Sequence, residues 1–142
     1  MARDLHNNVK VLRVVSPVAI GTTGTGQVGK IIDRAGYEGV EFIVSYGTVT
    51  ATAAVYTVTV KEGDVTGTMT SVADADLIGT ELAAGLAAAA TRTSGTTKNV
   101  TKKIGYAGIK RYVQCGVKST TTATTPVSID VVLSSPQHAP AA

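Results

Sequence analysis

Apolar and polar positions alternate along most of this chain with a period of two, the pattern typical of strands with one buried face. The alternation is cleanest over residues 54–61, where Tyr56, Val58 and Val60 fall on one side and threonines on the other. Over 40–46 the same pattern places Phe42 and its apolar neighbours on an inward face. Gly and Pro separate the segments, and the predicted strands are 9–15, 18–20, 40–46, 54–61, 66–72, 100–104, 109–117 and 127–133.

Short strands at this spacing predict an all-β fold, a single-domain antiparallel β-sandwich of jelly-roll type with about seven or eight strands. At most one short helix is expected around 80–90, where Thr80 or Asp74 would cap it and Leu82 and Leu86 form an apolar pair four residues apart. The 142 residues fit one domain, 1–142, with a flexible N-terminal arm (1–8) and a C-terminal tail (135–142).

One short pattern occurs twice, at 36–44 and at 105–113, as Gly-Tyr-x-Gly-(Val/Ile)-charge-x-x-Val. Each copy is predicted to be a turn that leads into a strand. If the two strands are neighbours, Glu41 of the first copy would face Lys110 or Arg111 of the second. Tyr37 and Tyr106 would then pack at the edge of the sandwich.

The composition supports sheets filled with small branched side chains, because 22 Thr and 20 Val stand beside one Phe, five Tyr and no Trp. Cys115 is the single cysteine, so no intrachain disulfide is expected. The first residues lack the order of a signal peptide, and no apolar run reaches the ~20 residues of a membrane span. A reducing, aqueous compartment is therefore expected.

Charge is distributed unevenly along the sequence. Residues 1–81 hold six Lys/Arg and nine Asp/Glu, whereas residues 82–142 hold seven Lys/Arg and one acidic residue. Such asymmetry indicates nucleic acid, an acidic protein partner or contact between copies, unless the strands bring the halves together and the charges cancel. Only the adjacent pair Lys102-Lys103 resembles a phosphate-binding patch.

No residue pattern supports catalysis or a cofactor. The glycine-rich stretch 21–30 is followed by a short apolar step and lacks the Gly-Lys-Ser/Thr of a phosphate loop. The turn carboxylates of 62–76 lack the spacing of a calcium loop. Cys115 falls on an inward-facing position, and His6 and His138 lie near opposite ends of the chain, so no nucleophile and base are brought together. The protein is expected not to be an enzyme and to hold no metal.

Three stretches carry a resemblance to a known family: 58–64, 72–80 and 102–113, with 33–42 fitting the same pattern. Together they resemble the small virion structural proteins of tailed bacteriophages, over most of the chain from about Asp33 to Pro136. The resemblance implies a capsid decoration, or cement, protein that binds the outside of the assembled head shell and stabilises it. It carries over no catalytic residues.

The same resemblance implies the partners: the major capsid protein and further copies of this chain, as a trimer or dimer, without a membrane and without nucleic acid. It places the protein on the capsid surface of the virion, assembled in the host bacterial cytoplasm. The arm and the basic positions are the candidate contacts with the shell or a neighbouring copy: Arg3, Asp4, Leu5, His6, Asn7, Asn8, Lys102, Lys103, Lys110 and Arg111.

Two other classes stay open at this point. One is another virion component, such as a tail tube, head fibre or head–tail joining protein. The other is a carbohydrate- or nucleic-acid-binding β-sandwich, which the scarcity of aromatic side chains for stacking disfavours.

Overall fold

A computed structural model describes residues 4–19, 26–48, 55–86, 99–119 and 125–138. Within these ranges almost all regular structure is β, which confirms the all-β prediction. The strands are β1 Val9–Ala19, β2 Gln27–Val28, β3 Ile32–Asp33, β4 Tyr37–Tyr46, β5 Tyr56–Val65, β6 Thr68–Ser71, β7 Leu77–Ile78, β8 Val100–Tyr106, β9 Tyr112–Ser119 and β10 Pro126–Pro136.

The strands form two antiparallel sheets that enclose one hydrophobic core. The first sheet has the order β1-β10-β4-β8-β7, and the second has the order β2-β9-β5-β6, with β3 also paired to β9. The predicted inward faces of β4 and β5 are confirmed, because their alternate residues are buried. The buried core positions of the central strands β4, β5, β8, β9 and β10 are Val40, Phe42, Val44, Tyr46, Tyr56, Val58, Val60, Ile104, Tyr106, Val113, Cys115, Val117, Val127, Ile129, Val131 and Leu133.

The first strand differs from its prediction because it runs through Pro17 without a break. β1 is an edge strand, and it shifts register against β10 between Arg13 and Val15 and again between Val15 and Val18. A proline lacks the amide donor that a central strand needs, but an edge strand with bulges tolerates it.

The prediction of a strand over 109–117 is wrong at its start. β8 ends at Tyr106, residues 107–111 form a loop, and β9 begins at Tyr112 in the other sheet. Ile109, the first residue of that predicted strand, is exposed. The turn predicted at 62–64 is also misplaced, since β5 continues to Val65 and the chain turns at Thr66–Gly67.

The short helix expected at 80–90 is present as one turn, α1 (Glu81–Ala84), and residues 87–90 lie outside the described ranges. The predicted cap is confirmed: the Thr80 hydroxyl accepts a hydrogen bond from the Ala83 amide at 3.0 Å. α1 closes one side of the sandwich, because the Glu81 carboxylate accepts from the Val60 amide and the Tyr46 hydroxyl donates to the Ala84 carbonyl.

Both termini are more regular than expected where they are described. Residues 6–8 form a 3-10 turn before β1, and β10 extends to Pro136, two residues into the predicted tail. The Gln137 amide donates to the Gly36 carbonyl at 2.8 Å, which joins the end of β10 to the turn before β4.

Candidate functional site: the Arg34 end of the sandwich

Two connections and part of one strand meet at one end of the sandwich, here called the Arg34 end: residues 33–37, residues 106–112, and residues 62–64 of β5. β4 begins there, β8 ends there, and β9 begins there opposite Gly63 of β5. Both copies of the repeated Gly-Tyr-x-Gly pattern therefore reach the same end, one as a strand entrance and the other as a strand exit. The prediction of two equivalent turn-to-strand units is wrong for the second copy.

Arg34 holds this end together. Its Nε donates to the Lys110 carbonyl at 2.5 Å, its Nη2 to the Gly108 carbonyl at 3.0 Å and its Nη1 to the Tyr37 carbonyl at 3.2 Å. The guanidinium also lies over the Tyr106 ring, 5.5 Å from the centroid. A planar group with five donors suits this task, because it reaches several carbonyls at fixed angles. One side chain thus joins the loop 107–111 to the start of β4.

Tyr106 packs against the same loop and forms a hydrogen bond with it. Its hydroxyl donates to the Glu62 carboxylate and accepts from the Lys110 amide at 3.0 Å. Burial, together with the bond to Glu62, raises the pKa of Tyr106 to about 12. Gly108 crosses directly over this tyrosine, and a Cβ there would lie 2.4 Å from the hydroxyl oxygen. The loop can pack on Tyr106 because residue 108 has no side chain.

Two ion pairs flank the loop and link the basic half of the sequence to the acidic half. Lys110 Nζ lies 2.6 Å from Asp64 Oδ2, and Arg111 binds both carboxylate oxygens of Asp33 at 2.8–3.0 Å. The Arg111 guanidinium beside Asp33 lowers the pKa of that carboxyl. The side chains are about half exposed, so each pair contributes little to stability. Part of the charge asymmetry is nevertheless neutralised within the chain.

The expected contact of Glu41 with Lys110 or Arg111 is wrong. β4 and β8 are neighbours, as supposed, but Glu41 lies opposite Gly105, and the chain leaves the first sheet before it reaches Lys110. The nearby cation is Lys103, which partly offsets the desolvation that raises the pKa of Glu41.

Lys102 and Lys103 do not form a single basic patch. Successive residues of a strand point to opposite faces. Lys102 pairs with the buried Val44 and is half-buried, whereas Lys103 pairs with Ile43 on the outer face and is exposed. Both lie along β8, away from the Arg34 end. This placement weakens the phosphate-patch interpretation of the pair.

The described part of the N-terminal arm, residues 4–8, lies at the same end as Lys110 and Arg111 but across the first sheet. Asp4 precedes the 3-10 turn and accepts from the Asn7 side chain at 2.5 Å and from the Asn7 backbone amide at 3.1 Å, and these bonds lower the pKa of Asp4. A shallow cleft of about 320 Å³ separates this turn from the end of β10. Three strand spacings, roughly 15 Å, lie between β1 and β8. The turn exposes Leu5 and His6, and Arg3 lies outside the described residues.

A groove on the second sheet and the thiol of Cys115 are two further candidates within the described residues. A groove of about 70 Å³ on the second sheet is lined by Gln27, Val28, Thr59, Lys61, Gln114, Gly116, Val117 and Lys118. Cys115 is fully buried, as predicted, and burial raises the pKa of its thiol to about 12. Of the glycine-rich stretch 21–30, residues 21–25 lie outside the described ranges.

The described ranges lack two kinds of feature. They contain no group of three His, Cys, Asp or Glu side chains placed as metal ligands. They also contain no helix long and apolar enough to cross a membrane.

Comparison with known proteins gives a fold but no family. No protein-family model and no curated protein matches the sequence. The SPBc2 prophage-derived protein YomS aligns in structure with a TM-score of 0.52 and 15% identity, over 90% of this chain and 94% of YomS. The chain has the YomS fold.

Two further structures align over most of the chain at lower scores. One is from the Bacillus endospore appendages described as disulfide-linked pili (TM-score 0.40, 11% identity, 96% of this chain and 97% of that one). The other is the Eiger TNF of S. frugiperda (TM-score 0.37, 7% identity, 94% and 88%). At these scores neither structure shows a shared fold. The YomS alignment, which covers 90% of this chain, does.

Proposed function

We propose that this chain is a structural protein of a tailed-phage virion, and more specifically a decoration protein that binds the outside of the assembled head shell. The observation that carries the proposal is the likeness to YomS, a prophage-derived protein that shares the fold over almost the full length of both chains. The resemblance of 33–42, 58–64, 72–80 and 102–113 to small phage virion proteins points the same way.

The construction of the molecule suits such a role. A shell presents the same binding site many times. A protein that binds there has a higher affinity if its contact loops are already ordered, because no conformational entropy is lost in ordering them on binding. The loop 107–111 is held by Arg34 and Tyr106, and its two cations are already paired with Asp64 and Asp33. Contact with a partner through this loop would therefore depend on shape more than on net charge, which favours a protein partner at this loop.

Location in the particle tests the proposal. Particles released by cells that carry the gene would be compared with particles from a deletion strain by cryo-electron microscopy, with gold-labelled antibody against the chain. The expected result is added density at regular positions on the outer head surface, present only when the gene is present. Density in the tail, or absence of the chain from purified particles, would contradict the decoration role.

A binding measurement with purified components tests the same proposal independently. Deletion particles would be mixed with the purified chain and sedimented, and the bound fraction would be followed against concentration. Saturation at a fixed number of copies per particle is expected, while the same chain should not sediment with DNA.

A further inference from the structure

The ion pairs at the Arg34 end leave other charges of the chain without a partner. Lys61 and Lys118 form no ion pair within the described residues, and neither do Asp74 and Asp76. The two lysines lie on the second sheet, whereas the two aspartates lie in the turn between β6 and β7. Two surfaces of opposite charge therefore remain uncompensated on the same chain.

The positive surface is the groove on the second sheet, here called the basic groove. Lys61 of β5 and Lys118 of β9 line it from either side of the paired residues Thr59 and Gly116. The space above Gly116 is open because this residue has no side chain, and Val28, which is 73% exposed, forms an apolar wall on the side of β2. None of the described residues that line the groove is acidic. Its volume of about 70 Å³ suits a small anionic group such as one carboxylate.

The negative surface is the 3-10 turn Asp74–Asp76, here called the acidic turn. Asp74 is exposed and has an alanine on each side, so no bulky neighbour covers its carboxylate. Two backbone bonds fix the turn: the Asp76 amide donates to the Ala73 carbonyl at 2.9 Å, and the Asp76 carbonyl accepts from the Ala107 amide at 2.8 Å. Ile78, two residues after the turn, is 61% exposed. The turn therefore presents a carboxylate and an apolar side chain on an ordered backbone.

The basic groove and the acidic turn lie on different parts of the sandwich. The groove is on the outer face of the second sheet beside β2, whereas the turn crosses between the sheets at the opposite edge, from β6 to β7. Each surface combines an exposed apolar residue with unpaired charge, unlike Ile109 and Val65, whose neighbouring charges are paired within the chain. The two surfaces are complementary to each other, so a second copy of the chain matches both of them.

We propose that the acidic turn of one copy binds the basic groove of a second copy. In this contact the Asp74 carboxylate lies between Lys61 and Lys118 of the second copy. Ile78 then packs against Val28 at the side of the groove. Because the two surfaces differ, the contact is either reciprocal within a dimer or repeated from copy to copy around a ring. The inference rests on the charges and exposed residues of the chain and is independent of the proposed function.

Association of the purified full chain in solution tests this contact. Sedimentation velocity at low salt, over a range of concentrations, would compare the wild type with Asp74→Lys and with the double variant Lys61→Glu/Lys118→Glu, and circular dichroism would verify that each is folded. The wild type is expected to associate, and each variant to associate about 10-fold or more weakly, because like charges then face each other. A mixture of the two variants is expected to regain association, since the reversed turn of one meets the reversed groove of the other.

Glu38→Lys and Arg13→Glu are the matched controls, because each reverses one exposed charge on the first sheet, away from the basic groove and the acidic turn. Both are expected to associate like the wild type, and association of the wild type is expected to weaken at high salt. A wild type that stays monomeric at low salt overturns the inference. So does an equal loss in the controls, a mixture that fails to regain association, or association that is unchanged by salt.

Discussion

Replacing Arg34 by alanine tests whether one side chain holds the Arg34 end together. The change removes three hydrogen bonds to the carbonyls of Lys110, Gly108 and Tyr37, together with the contact over the Tyr106 ring. Hydrogen bonds from a charged donor contribute about 1.5–3 kcal/mol each. A simple sum would be too large, because Arg34 is only half-buried and water replaces part of what is lost.

A loss of about 2–4 kcal/mol in the free energy of unfolding is therefore expected for Arg34→Ala. For a domain of this size such a loss lowers Tm by roughly 7–14 °C. Arg34→Lys should lose most of the same amount, because an ammonium cannot reach three carbonyls from one position. Urea unfolding followed by circular dichroism measures the free energy, and hydrogen exchange of the Lys110 amide reports whether the loop has loosened.

Arg13→Ala is the matched control. Arg13 is exposed on the edge strand β1, and its removal is expected to change stability by no more than about 0.5 kcal/mol. If Arg34→Ala were no more destabilising than Arg13→Ala, the conformation of the loop 107–111 would not depend on Arg34.

Three further experiments test the packing of Tyr106, Cys115 and Gly108. Because the folded state holds the Tyr106 proton up to a pKa of about 12, against a usual value of 10.0, stability should decrease as pH rises from about 10 to 12, and Tyr106→Phe should flatten that decrease in urea titrations across this range. Cys115, with a buried thiol whose pKa is raised to about 12, should resist a thiol reagent at pH 8 until urea unfolds the chain; labelling at the rate of a free cysteine would contradict its burial. Gly108→Ala should cost about 1–3 kcal/mol, because the new methyl group would lie 2.4 Å from the Tyr106 hydroxyl; Gly67→Ala, where no atom lies within 4 Å, is the control, and equal effects would show that the close packing is unimportant.

The sequence was sufficient to predict the strands that have one buried face and one face exposed to solvent. Phe42 and Val58 fell on the predicted inward faces because burial itself produces the alternation. Ile109 was assigned to the strand because it lies an even number of residues before Val113, Cys115 and Val117, so the period-two pattern of β9 extends back to it although the backbone there is a loop. Local pattern therefore predicts which residues form strands more reliably than where one strand ends and the chain changes sheet.

The candidate site was harder to predict because its central residue bonds to backbone. Arg34 reaches the carbonyls of residues 74 and 76 positions further along the chain, and any residue type could supply those carbonyls. No spacing or residue pairing in the sequence marks such a contact. Gly108 and Tyr106 indicated a turn in the sequence, but nothing in the sequence indicated that Arg34 would bind the carbonyls of that turn.

The repeated Gly-Tyr-x-Gly pattern illustrates how the same letters satisfy different physical requirements. Gly36 has a φ of +89° with open space around it, so the turn before β4 needs glycine for its backbone conformation. Gly108 corresponds to Gly39 of the first copy, not to Gly36. It is needed because the Tyr106 hydroxyl occupies the space of a side chain, whereas at Gly39 that space is taken by the Ser134 side chain. The tyrosines differ as well. Tyr37 accepts from Arg34 through its backbone carbonyl, whereas the Tyr106 ring lies under the Arg34 guanidinium and its hydroxyl accepts from the Lys110 amide. The two copies are not equivalent units, but Arg34 donates hydrogen bonds to carbonyls of both. These bonds hold the loop 107–111 against the start of β4.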